Sequence, residues 1–401
     1  MLLGFKTQLI ITNNSTRSLL AKHAGVARHA WNWGLHLTKL VLEHNQNNPD
    51  DKIKFPTAID LHKLLVACVK PENAWYYEVS KSAPQYALRH LRDAWQRCFK
   101  KTSGVPKFKK KYKHDSFTLD GSITVDNFKI KVPIIGWLKT SERLPFDYAQ
   151  DKPQGIKPKS VTISRQADKW YISFKIEIAP QPTTKVIHVI GVDLGVLHLA
   201  TLSNGEIFEG AKALKKLEKK LAKLQYRNRH KQVKSSNWLQ AQVKIARLHQ
   251  RIANIRKDYV HKMTTYLAKN HSKIVIEDLN VVGMLANHKL AKAISDGAFY
   301  EIKRQLIYKC ELYASQLIIA DRWFPSSKIC SHCGTKRESL LLSERVFCCE
   351  HCHTEIDRDL NAALNLAQLG GASPEVTPVD KKTPKSLVEA GIRDCQDLSG
   401  F

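Results

Sequence analysis

Apolar and polar positions fall into blocks of two periods along this chain. Residues 1–12 alternate weakly, as an edge strand does. From Ser15 to Lys101 the spacing turns helical. Ala27, Trp31 and Leu35 share one face at i, i+4, and Tyr86, Leu88, Leu91, Trp95 and Cys98 mark another. Asn- and Pro-bearing stretches near 44–56 and at Pro71 break these helices. Core packing accounts for the aromatic residues better than base stacking does. Residues 117–178 return to period two, with Trp170, Ile172, Phe174 and Ile176 on one side of a strand. PFDYAQDKPQG, residues 145–155, interrupts that pattern with loop chemistry and reads as an exposed insertion.

A second unit starts near Lys185. VIHVIGVDLG is a buried strand reaching Asp193, and HLATLSNGEIFEG follows with Asn204-Gly205, the signal of a type I′ hairpin. Residues 211–270 read as one or two long helices. Leu214, Leu217, Leu221 and Leu224 make one apolar stripe; Leu248, Ile252, Ile255 and Tyr259 make a second. SKIVIEDLN is a short buried strand ending at Glu277, followed by a polar loop and a helix to about Tyr313. SQLIIADRWF is strand-like. The last regular element is a helix from about Asp359 to Leu369, with Asp359 placed to act as its N-cap. The tail 371–401 has the composition of a mostly disordered end.

Charge narrows the function. The chain has 401 residues, enough for two or three domains, and its 43% apolar content is ordinary. Its net charge of +27 invites a polyanion, nucleic acid first. The span 211–270 carries 17 Lys and Arg against two acids, too unbalanced for i,i+4 pairing. SGVPKFKKKYKHDSF interleaves a basic run with Phe108, Tyr112 and Phe117, as a phosphate-contacting segment does. No run approaches the ~18 apolar residues of a membrane helix. No export signal is read at the N-terminus. The nine cysteines follow no disulfide framework, which points to a reducing, cytoplasmic setting.

Cys330-Ser-His-Cys333, fifteen residues, then Cys349-Glu-His-Cys352 is the spacing of a structural zinc site. Cys348, His332, His351 and His353 stand close enough to substitute. Three acids form the other constellation: Asp193 and Glu277 at strand ends, and Asp359 at a helix start. Carboxylates converging at buried strand ends need a partner, and one or two hard divalent cations (Mg2+ or Mn2+) supply it. Such a pair of ions, ~3.5–4 Å apart, hydrolyses phosphodiesters.

VIGVDLGV, IVIEDLN, PSSKICSHCG and EIDRDLNAALNLA closely resemble the TnpB (OrfB) family of insertion sequences, itself similar to the type V CRISPR effector nucleases. GVARHAWNWGL, SGVPKFKKK and NIRKDYVHK extend the likeness over nearly the whole chain. The resemblance implies an α/β multidomain protein: an RNase H-like (RuvC) nuclease core with an inserted zinc ribbon, and an N-terminal β-barrel wedge domain carrying a helical recognition insertion. The implied boundaries are 1–14 and 103–184 for the wedge, 15–102 for recognition, 185–322 and 357–370 for the core, and 323–356 for the ribbon. It carries the catalytic, magnesium-binding positions onto Asp193, Glu277 and Asp359, with Asp357 the competitor for the last. The zinc ligands fall on Cys330, Cys333, Cys349 and Cys352. The implied activity is RNA-guided cleavage of double-stranded DNA beside a short transposon-adjacent motif, with a guide RNA from the element's own end, near the prokaryotic nucleoid. Two departures stand out: the 145–155 insertion, and His353 where relatives carry Gly. A nuclease-inactive guided repressor is the first alternative, and all three acids are present against it. A DDE-type strand transferase is the second, and the order D, E, D disfavours it.

Overall fold

The computed structural model describes residues 1–147, 154–155, 157–341 and 344–371. Residues 148–153 of the insertion, and the tail from residue 372, lie outside them. The chain divides into two units at Ile178/Ala179.

The first unit builds one antiparallel sheet and a helical insertion. Its strands are β1 (Leu2–Ile10), β2 (Ser116–Asp120), β3 (Thr124–Asp126), β4 (Lys129–Val132), β5 (Gly136–Thr140), β8 (Ser160–Gln166) and β9 (Lys169–Glu177), in the order β2-β8-β9-β1-β5-β4-β3. Phe146–Asp147 (β6) and Gln154–Gly155 (β7) pair with each other beside it. β1 is therefore a central strand, not an edge. It pairs with β9 from Leu2 to Leu9 but with β5 only at Leu9 and Ile10. Its weak alternation reflects that half-open side. Between β1 and β2 come α1 (Asn14–Asn47), α2 (Ala58–Leu64), which widens into a π-helical turn, and α3 (Ser82–Phe99). Asn13 caps α1 by accepting from the Thr16 N–H, and Thr57 with Asp60 forms a capping box on α2. Ala27, Trp31, Leu35, Leu88, Leu91 and Trp95 are buried, so these faces do pack as core. In the basic segment Phe108 and Tyr112 are exposed, whereas Phe117 is core.

The second unit is a mixed α/β layer. β10 (Ile187–Asp193), β11 (Ala200–Leu202), β12 (Ile207–Phe208), β13 (His271–Glu277) and β14 (Gln316–Ala320) form a sheet in the order β12-β11-β10-β13-β14. β10, β13 and β14 are parallel, joined by helical crossovers. The first crossover contains α4 (Ala213–Arg229) and α5 (Ser236–Asn270); the second contains α6 (Val281–Ala286), α7 (Ala291–Gly297) and α8 (Phe299–Tyr313). β15 (Val346–Cys348) and β16 (Glu355–Asp357) form the ribbon hairpin, and α9 (Arg358–Leu369) follows directly.

The β11–β12 hairpin corrects the turn type. The Leu202 N–H donates to the Glu206 carbonyl, leaving three residues in the loop. Gly205 alone has a positive φ, +85°, and Asn204 does not. A type I′ turn needs both central residues left-handed, so this loop is the three-residue form with glycine at its αL position.

Period two in the parallel strands sets which face each side chain meets. Ile190, Val192, Ile274 and Ile276 pack with Met263 and Leu267 of α5 and with Ile302 and Leu306 of α8. The alternate positions, Val189, Gly191 and Val275, face α9. A Cβ at Gly191 would sit 1.9 Å from the Ala363 carbonyl oxygen and 2.5 Å from the Ala367 nitrogen. Only glycine lets this helix lie on the strand backbone. Gly191→Ala should cost about 3 kcal/mol or more, since the clash is with backbone that cannot rotate away. Urea denaturation of the full chain measures it; a loss under about 1 kcal/mol would show that α9 can shift freely.

Candidate active site and zinc ribbon

Two residues beyond Gly191 on the same face is Asp193. On α9, Asp359 lies one turn before Ala363. The strand advances ~3.3 Å per residue and the helix ~1.5 Å, so both acids are displaced by a similar ~6–7 Å from the Gly191 contact. On β13, Val192 pairs with Ile276, and the next residues in that register are Asp193 and Glu277. All three carboxylates line one cavity of about 880 Å³ at the carboxyl ends of the parallel strands. Asp193 and Asp359 are both half-buried, and so is Glu277. Burial, with the Glu277 and Asp359 carboxylates facing it, pushes the Asp193 carboxyl well above the usual carboxylate range.

Asp357 is not among the residues that line this cavity. Its carboxylate caps α9, accepting from the Asp359 and Leu360 N–H groups at 3.0 Å each. The helix starts at Arg358, one residue earlier than the sequence pattern implied, and its N-cap is Asp357, not Asp359. That frees the Asp359 side chain to face the cavity. The cavity walls are cationic: Lys215, Lys289, Arg345 and Arg358 line them. Asp296 of α7 accepts from the Leu214 and Lys215 N–H groups at the start of α4 and pairs with Arg256 Nε at 2.7 Å. It thus ties α4, α5 and α7 together along one wall.

Among the described residues, the four cysteines are the one cluster whose metal-donor atoms all lie within 4.8 Å of one another; the three carboxylates stand wider. Cys330 Sγ is 3.6 Å from Cys352 Sγ, and Cys333 Sγ is 3.5 Å from Cys349 Sγ. Four thiolates tetrahedrally placed at ~2.3 Å from zinc stand about 3.8 Å apart, so the set fits that ion. The two knuckles repeat one design. The Cys330 N–H donates to Thr335 O and the Gly334 N–H to Cys330 O; the Cys349 N–H donates to Thr354 O and the His353 N–H to Cys349 O. Gly334 has φ +76° and His353, its counterpart, has φ +58°. Cys348 and the three nearby histidines are outside the cluster.

The ribbon is bolted to α9 by amides that the sequence reading missed. Asn361 accepts from the Ser331 N–H at 2.9 Å and donates to Ile329 O at 2.7 Å. Asn365 donates to Ile329 O and Ser326 O, both at 2.7 Å, and Gln368 donates to Ser331 O at 2.7 Å. Their i, i+4, i+7 spacing in NAALNLAQ was the available signal.

These features define a class: an α/β protein with a carboxylate-lined cleft at parallel strand ends and a four-cysteine ribbon leading into the helix that completes it. Family models match three parts of the chain. One described as "Probable transposase" (OrfB_IS605) matches residues 171–288, and one described as "Cas12f1-like, TNB domain" matches residues 299–366. A third, "Helix-turn-helix domain", matches residues 1–47, which here form β1 and the single helix α1. A "Putative RNA-guided DNA endonuclease" of Streptomyces pristinaespiralis is 39% identical, over 75% of this chain and 74% of that protein. Another of that description, from Mycobacterium tuberculosis, is 30% identical over 99% of this chain and 94% of its own. A solved Cas12f1–sgRNA–target DNA complex aligns over 92% of this chain and 99% of its own, with TM-score 0.35 and 15% identity. The chain belongs to the TnpB (OrfB) family.

His353→Gly tests the knuckle geometry. A non-glycine residue in the left-handed region costs about 1–2 kcal/mol, against about 0.5–1 kcal/mol of extra chain entropy for glycine. The substitution should stabilise the folded ribbon by about 0.5–1 kcal/mol and tighten zinc against a competing chelator. Weaker zinc retention in His353→Gly would count against a strained knuckle.

Proposed function

We propose that this protein is an RNA-guided DNA endonuclease of a transposable element, cutting double-stranded DNA beside a short adjacent motif. The observation that carries the proposal is the convergence of Asp193, Glu277 and Asp359 on one cleft, with the half-buried Asp193 facing like charges. Buried carboxylates that repel one another are stable together when a cation stands among them, and an all-oxygen donor set suits magnesium or manganese. Asp193, Glu277 and Asp359 would hold those cations. The bound cations supply activation of water and neutralisation of charge on the scissile phosphate. The chain's own part is to hold three acids on a rigid strand–strand–helix junction. Its cationic walls draw the DNA backbone toward that junction.

In this assignment residues 185–322 and 357–370 form a RuvC-like core and 323–356 a zinc ribbon. Residues 1–14 and 103–184 form the wedge barrel, and 15–102 form the recognition helices. The excess charge fits two polyanions at once. A guide RNA, transcribed from the element's end, reads sequence by base pairing, and the protein holds backbone and shape. Likeness to relatives described as RNA-guided DNA endonucleases supports this, as does the α4–α5 hairpin with its 17 cations in residues 211–270. That no described helix is long and apolar enough to cross a membrane is compatible with it.

Asp193→Ala should abolish magnesium-dependent cleavage of matched DNA by the guide complex, by at least about a thousandfold, and leave guide-RNA affinity unchanged. Persistent cleavage would remove Asp193 from the site; loss of RNA binding as well would make it a folding residue. Joined donor–target DNA products from the purified protein alone would instead favour a strand transferase, as the "Probable transposase" description reads.

A further inference from the structure

Glutamate reaches its target through three side-chain torsions, so Glu277 needs a partner to hold one rotamer. The Ser326 hydroxyl is that partner, donating to Glu277 Oε1. Ser326 is 4% exposed and lies on the loop between β14 and the first zinc knuckle, on the cavity wall. Its own place is fixed from the other side. Its carbonyl accepts from Asn365 of α9, and the same Asn365 amide holds the carbonyl of Ile329, the residue before Cys330. Asn361, one turn earlier, holds Ile329 and Ser331. A continuous hydrogen-bonded path therefore runs from the cysteine knuckle through α9 to Ser326 and ends on the Glu277 carboxylate.

We propose that Ser326 is a positioning residue for Glu277, holding the carboxylate at the cation site, and that Asn365 holds Ser326 in place by tying its loop to α9. The proposal rests on the catalytic assignment given above. Groups that hydrogen-bond a metal-ligating carboxylate orient it and raise its effectiveness as a ligand; their loss typically costs about 10- to 100-fold in metal affinity or activity. Ser326 acts through Glu277 alone, so its effect should exist only while Glu277 can bind a cation.

The test uses the full, zinc-loaded chain. Mn2+ binding to the RNA-free protein is followed by electron paramagnetic resonance, and cleavage is followed on the guide complex. Ser326→Ala should weaken Mn2+ binding and lower kcat, each about 10-fold or more, with KM for DNA and the melting temperature nearly unchanged. In a Glu277→Gln background the same substitution should change Mn2+ affinity less than about twofold. An equal loss in both backgrounds, or unchanged Mn2+ affinity and kcat in Ser326→Ala, would overturn the proposal. Should Ser326→Ala fail to fold, Ser326→Cys, similar in volume with a weaker donor, is read by the same criteria. Full cleavage by Glu277→Gln alone would defeat the functional assignment itself, which separates the two failures.

Discussion

The contact between α9 and the backbone of β10 is the constraint on which the second unit depends. A helix normally stands off a sheet by the depth of two side-chain layers. At Gly191 one of those layers is missing, and the Ala363 carbonyl sits where a Cβ would be. Ala363, Ala367 and Gly370 keep the helix side of the contact small as well. The helix is thereby fixed in height and in its position along the strand, and its first turn falls beside the strand end. Asp193 and Asp359 meet because both are measured from the same contact. Glu277 joins them because β13 runs parallel to β10 in register.

The same helix joins two donor sets without mixing them. Thiolates select a borderline-soft ion and close around it, leaving no open position. Carboxylates select hard cations. α9 carries Asp359 toward the cleft on one face and Asn361, Asn365 and Gln368 toward the ribbon on another. The ribbon's backbone is thus part of the carboxylate cleft's scaffold, although none of its thiols lines that cleft. Asp296 plays a comparable part on the opposite wall, where it caps α4 and pairs with Arg256.

Much of this was legible in the residues themselves. The apolar runs before Asp193 and Glu277 are long enough to be buried strands and too short for helices, and each ends at the acid. The two CxxC pairs point to a four-cysteine set by spacing, and only the fold leaves Cys348 and the three nearby histidines outside it. The stripe of α4 packs against Leu248 and Ile252 of α5, but Ile255 of the second stripe is exposed and Tyr259 joins the core under the sheet instead. What misled was local. Residues 1–12 look like an edge because β5, their second neighbour, arrives from more than a hundred residues away and pairs with only two of them. Asn204-Gly205 looks like a two-residue turn because spacing along a chain does not show which residues pair across the hairpin.

By itself, then, the sequence determined the chemical inventory: which atoms can bind hard or soft cations, which faces are apolar, and how much positive charge surrounds them. These follow from residue type and period, which are properties of short segments. Tertiary structure alone decided which acid caps α9 and which faces the cleft, since Asp357 and Asp359 differ in role by one hydrogen-bonded turn. It also decided that Ser326 reaches Glu277 and that Gly191 carries the helix. Ser326 and Glu277 are 49 positions apart, and Gly191 and Ala363 are 172 apart, and only packing in three dimensions brings such residues into contact.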